Sequence, residues 1–131
     1  MVDTTQRQTS LPTGFGGSYD EYSGDTLDLN ALLIRAPAAT FYMRVGGDGM
    51  AETRIEHGDI LVVDRSLTPR SDDIVVAVVA GEFVVRRLLI TRGVFGLHQG
   101  GDEAPYSPAE GEMLEIWGVV TASITQHRRS I

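Results

Sequence analysis

What most constrains this chain is a succession of short apolar runs rich in Val and Ile, each closed by a turn signal. Phe41, Met43 and Val45 alternate with Tyr42, Arg44 and Gly46, a period of two that fits a pleated strand and not a helix. Further runs follow at 60–63, 74–79, 83–90, 94–97 and 114–124, where β-branched side chains suit a sheet surface. They are separated by His57-Gly58-Asp59, a polar stretch from Thr68 to Asp73, Ala80-Gly81-Glu82, Thr91-Arg92-Gly93 and a long polar stretch from about Gln99 to Glu112. The runs on either side of Gly81 read as a hairpin whose arms are apolar enough for a core. Helical spacing occurs at Leu29, Leu32 and Leu33, which fall at i, i+3 and i+4, with Asp28 placed to cap the start and Pro37 to end the run. Five or six strands and one or two short helices make a mainly β chain.

At 131 residues and 14.2 kDa the chain has the length of one domain with tails. Residues 1–26 are rich in Thr, Ser, Gly, Gln and Asp and read as a flexible N-terminal arm, 27–126 as the folded domain and 127–131 as a polar tail. No apolar run reaches the roughly 18 to 20 residues that cross a bilayer, and the polar start shows no secretory signal, so a cytoplasmic protein without membrane partners is expected. The absence of cysteine excludes disulfides, thiolate catalysis and Cys-zinc sites. All 11 cationic residues are arginines, so the chain contains no lysine. The net charge of -7 argues against direct nucleic-acid binding, which needs clustered cations, and the only close pairs are Arg86-Arg87 and Arg128-Arg129.

A longer pattern runs through Gly46-Gly47-Asp48-Gly49-Met50, Ile55 and Gly58-Asp59-Ile60-Leu61-Val62-Val63-Asp64. With Asp28 to Ile34 upstream, and Asp73 to Ala77, Gly81 to Leu88, Ala104 to Pro108 and Trp117 to Val120 downstream, it resembles the UmuD branch of the LexA-type self-cleaving serine peptidases. The resemblance spans roughly Thr13 to Val120 in order and at nearly uniform spacing. It implies the compact β fold of the LexA C-terminal domain and of UmuD, with one or two short helices and an N-terminal arm.

The departures from that family matter as much as the matches. The family's nucleophilic serine falls on Gly49, which has no side chain to attack a carbonyl. Its general base, a lysine held neutral by burial, falls on Arg86, and arginine keeps its proton at physiological pH. With no lysine elsewhere, a relocated lysine base is excluded. Gly47, Asp48 and Met50 become neighbours of an emptied cleft. The family's arm is cut between a small residue and glycine; Thr13-Gly14 occupies that place, and the β-branched threonine makes it a vestigial cleavage site. Strand alternation puts Arg86 on the face of Glu82, Val84 and Leu88, and family geometry would aim it into the cleft. An unpaired charge there is costly, so Arg86 is expected to bond a carboxylate or backbone carbonyls, or to reach water.

Other chemistry fits less well. The eight serines and His57, His98 and His127 leave a Ser-His-Asp arrangement open by count, but the histidines fall in a turn, at a strand end and in the tail. They lack the i, i+4 spacing of a helical zinc pair, so no metal or other cofactor is expected. Gly46-Gly47-Asp48-Gly49 lacks the Lys-Ser/Thr of a phosphate-binding loop. It also resembles the Gly-Gly-Asp/Glu turn of cyclic dinucleotide synthases, whose domain is longer and alternates helices with strands. Trp117, Phe41, Phe83 and Phe95 read as core or dimer surface.

The resemblance therefore implies a non-catalytic accessory protein of the SOS DNA-damage response. The expected partners are a second copy or a UmuD-type protein as dimer, a UmuC-type translesion polymerase and the RecA filament. The 13 residues ahead of the vestigial cleavage position are too few for a helix-turn-helix, so repressor-type DNA reading is not expected of this chain. The alternative is a self-cleaving peptidase with a rearranged dyad, or one in which Gly49 and Arg86 were introduced to trap the uncut form.

Overall fold

The computed structural model describes residues 8–10, 20–22, 27–47, 54–100, 106–108 and 114–128. The chain divides into two compact units, Met1–Arg35 and Ala36–Ile131. In the first, β1 (Gln8–Ser10) pairs antiparallel with β2 (Asp20–Tyr22), within the segment expected to be a flexible arm. These strands are short and polar, without the apolar alternation that announces a strand in sequence. The expected helix forms as α1 (Leu29–Leu33), and Asp28 caps it by accepting from the backbone N–H groups of Asn30 and Ala31. It stops earlier than Pro37 suggested, with Ile34 already extended, and Pro37 instead opens a short 3-10 turn at the start of the second unit.

The second unit is built on a six-stranded antiparallel sheet: β3 (Thr40–Arg44), β4 (Ile60–Asp64), β5 (Ile74–Val79), β6 (Glu82–Thr91), β7 (Val94–His98) and β8 (Glu115–Ile124). Its spatial order is β3-β4-β8-β5-β6-β7, so the last strand lies between β4 and β5. The expected mainly β fold is what the chain adopts. β5–β6 and β6–β7 are hairpins closed by two residues each, Ala80-Gly81 and Arg92-Gly93, all four with positive φ. That is the mirror-image turn whose twist suits a hairpin. β7 is extended by an isolated bridge between Leu97 and Tyr106, which gives one fixed point to the long polar stretch after Gln99.

Alternation along β5 feeds two cores. Val76 packs with Val45, Ile55, Leu61 and Val63; Val75 and Ala77 pack with Leu88, Leu97 and Val119. A strand covered on both faces reads as an unbroken apolar run, which is why residues 74–79 contain no polar residue. Each fully buried valine contributes roughly 1.5–3 kcal/mol relative to exposure.

β8 meets β4 and β5 with one register shift each. Between Val76↔Gly118 and Ala77↔Ile116 the extra residue on β8 is Trp117, so a bulge re-aims the single tryptophan. Its ring meets Phe41 and Phe83 edge-on at 5.2 and 5.5 Å between centroids, and the Arg65 guanidinium lies 4.4 Å from its centre while donating to the Trp117 carbonyl. Phe41 and Phe83 stay exposed, so this cluster is half core and half surface. Gly118, next along, permits the close approach of β4: a Cβ there would lie 2.6 Å from Val63 Cγ1. Among the described residues no helix is long and apolar enough to cross a membrane.

Candidate functional site: the cavity beside Arg86

The Gly58-Asp59-x-x-x-Val63-Asp64 motif proves to be scaffolding. Asp59 is 2 % exposed; its carboxylate accepts from the Glu56 backbone N–H at 2.9 Å and from the Thr125 hydroxyl at 2.8 Å. Asp64 is likewise buried and accepts from the backbone N–H and hydroxyl of Ser66 at 2.7 and 2.6 Å. Both carboxylates are thus hydrogen-bonded, as buried polar groups must be: Asp64 within its own turn, Asp59 within its turn and to Thr125 beyond β8. Gly58 supplies the positive φ (90°) that brings the chain back on itself.

That turn fixes the end of β3. The Val45 N–H donates to the Asp59 carbonyl and the Val45 carbonyl accepts from the Gly58 N–H, both at 2.8 Å, while Arg44 Nη1 donates to the Gly58 carbonyl. Two residues further on, Gly47 turns with φ 69°, and His57 Nδ1 lies 3.0 Å from the Gly47 carbonyl. Val45, Gly46 and Gly47 are therefore held firmly where the sequence enters Asp48-Gly49-Met50. Asp48, Gly49 and Met50 themselves, and Thr13 and Gly14, lie outside the described residues.

Arg86 comes to the same place from β6. It stands opposite Val75, on the side of the strand that carries Val84 and Leu88 into the second core, as alternation predicted. It is half-buried, and its Nη1 donates to the Val85 carbonyl at 2.7 Å. Of the expected solutions for its charge, backbone carbonyl bonding is the one observed. Arg86, Arg44, Gly46, Met43, Phe83 and Gln99 are among the residues around an open cavity of about 300 Å³, whose floor is the apolar set Val45, Leu61, Val76 and Val85.

Sequence reasoning named Arg86 and Gly47 for this region and missed Arg44, which it read only as the outward half of a strand alternation. Gln99 also went unnoticed, because nothing local marks the first residue of a long polar stretch as lining a cavity. His57 is the histidine brought to the glycine turn, whereas His98 lies at the end of β7 opposite Arg87, and His127 follows β8. Among the described residues no group of three or more His, Asp or Glu side chains is placed to hold a metal ion.

Residues 9–121 match the family model described as Peptidase S24-like. The chain is 40% identical over 118 residues to Protein MucA of Salmonella typhimurium, covering 89% of this chain and 81% of that protein. Protein SamA of Salmonella typhimurium strain LT2 is 42% identical over 121 residues with the same two coverages. The LexA repressor of Verrucomicrobium spinosum is 33% identical over 85 residues, 63% of this chain and 42% of the repressor.

Proposed function

Because the chain belongs to the peptidase S24-like family, we propose that it is a UmuD-like accessory protein of the SOS DNA-damage response that has lost self-cleavage. The observation that carries this reading is Arg86. On the resemblance, Arg86 takes the place of the family's lysine base; its guanidinium is held on the Val85 carbonyl and cannot give up its proton to activate a nucleophile. Gly49, at the serine position, offers no nucleophile. The chain has no lysine with which to rebuild the dyad elsewhere.

What remains useful on such a scaffold is its surface. The chain acts as a dimer, with itself or with a UmuD-type protein, and as a regulator or subunit of a UmuC-type translesion polymerase that also meets the RecA filament. The exposed rings of Phe41 and Phe83, anchored on Trp117, suit a protein contact, since aromatic residues are enriched at the centres of interfaces. The test is association. Purified chain is mixed with a UmuC-type polymerase and run by gel filtration, and separately sedimented with nucleotide-bound RecA filament. The account expects a dimer that co-elutes with the polymerase and co-sediments with the filament. A chain that associates with neither overturns the accessory role.

A further inference from the structure

We propose that Arg86 is an edge guard: its guanidinium occupies the Val85 carbonyl on the open edge of β6 and closes that edge to the addition of a further strand. The open edge follows from the ladders. Leu88 donates its N–H to the Asp73 carbonyl, so it bonds toward the β5 side, and antiparallel alternation turns the backbone groups of Arg86 and Val84 the same way. Arg87, Leu89 and Thr91 face the opposite side, where β7 meets them with His98, Gly96 and Val94. Phe83 and Val85 share that outward parity, but β7 pairs with β6 only from Arg87 onward. Their N–H and carbonyl groups therefore point out of the sheet, and among the described residues no backbone group pairs with them. What meets this edge is the side chain of the next residue, with Arg86 Nη1 2.7 Å from the Val85 carbonyl.

A row of unpaired N–H and carbonyl groups is a template for another strand, and folded proteins blunt such rows with charged side chains, proline or a covering segment. The outer edge of β7 is blunted by cover and proline. Beyond the Leu97–Tyr106 bridge, the next pair in register would set Phe95 against Pro108, which has no N–H to give. Over Phe83 to Val85 a charge does the blunting. An added strand would have to donate an N–H at an acceptor that a charged donor already holds more strongly than a neutral amide would. It would also strip water from a half-buried cation that it does not neutralise. Because arginine keeps its proton at physiological pH, this closure does not titrate. Phe83, Val85 and Arg86 line the open cavity, so the guarded edge is one of its sides. The inference goes beyond the loss of self-cleavage, since it gives Arg86 a task that does not depend on what the dyad does.

The probes are acetyl-Thr-Val-Thr-Val-Thr-amide, a short uncharged strand, and the same peptide with both valines N-methylated, which cannot complete a ladder. Each is titrated into the full chain and into its Arg86→Ala and Arg86→Met variants, with amide shifts and hydrogen exchange followed by NMR. Methionine keeps an unbranched apolar stem while removing every donor. The expected result is that both variants bind the unmethylated peptide at least about tenfold more tightly than the unaltered chain does. Exchange should then slow at Phe83 and Val85, and the methylated peptide should leave both amides unchanged. Slowed exchange at these two amides when the unaltered chain meets the peptide would show an open edge and overturn the guard. So would variants that bind no better than the unaltered chain, equal binding of the methylated peptide, or loss of the fold in both variants, which would make Arg86 a structural prop. A chain that met neither polymerase nor filament, yet opened this edge on Arg86→Met, would sink the proposed function and leave this inference standing.

Discussion

Asp59 shows how much one buried carboxylate can organise. It ties the Glu56 backbone on one side and Thr125, beyond the end of β8, on the other, while its own carbonyl receives Val45 at the mouth of the cavity. Asp59→Ala would leave a backbone N–H and a hydroxyl without their partner, at a cost of about 2–4 kcal/mol, seen as a fall in the urea midpoint at unchanged slope. Asp59→Asn keeps one acceptor oxygen and should cost less. A loss for Asp59→Ala below about 0.5 kcal/mol, the scale of a neutral surface change, would show that these bonds do not hold the turn. The sequence marked this aspartate only through a family resemblance. Its physical task could not be read there, because Thr125 is 66 residues away in the chain.

At the scale of elements, periodicity and turn chemistry carried most of the information. The runs at 60–63, 74–79, 83–90, 94–97 and 114–124 became β4 to β8 with ends displaced by a residue at most, since each is apolar, β-branched and bounded by residues that break a strand. What stayed hidden was non-local. The bulge at Trp117 arises because β8 must match β4 and β5 at once, and no window of sequence contains that conflict. The pairing of β1 with β2 had no apolar signal.

The hairpin turns themselves hold avoidable strain. Ala80 and Arg92 sit at φ 51° and 53°, a left-handed conformation that asparagine tolerates better than alanine or arginine. Ala80→Asn and Arg92→Asn should therefore each raise stability by about 0.5–1 kcal/mol in chemical denaturation. A lowered midpoint for both would contradict the assigned turn type.

In the sheet-bearing unit as a whole, strand order turns distant residues into one site. β3 and β6 lie four places apart in the sheet, yet Arg44 at the end of one and Arg86 within the other line a common cavity. Arg86 could be found in the sequence only because the resemblance assigned its position; Arg44 carried no such mark and needed the fold to reveal it. On the proposed function, this peptidase scaffold retains its shape and has lost its chemistry. The measurement that tests it most directly is the intact mass of the purified, unaltered chain during incubation with nucleotide-bound RecA filament, and in parallel at alkaline pH. The account predicts a constant mass for the unaltered chain, and loss of residues 1–13 once Gly49→Ser and Arg86→Lys are introduced together. Loss of residues 1–13 from the unaltered chain would contradict it and require a nucleophile other than the one replaced by Gly49.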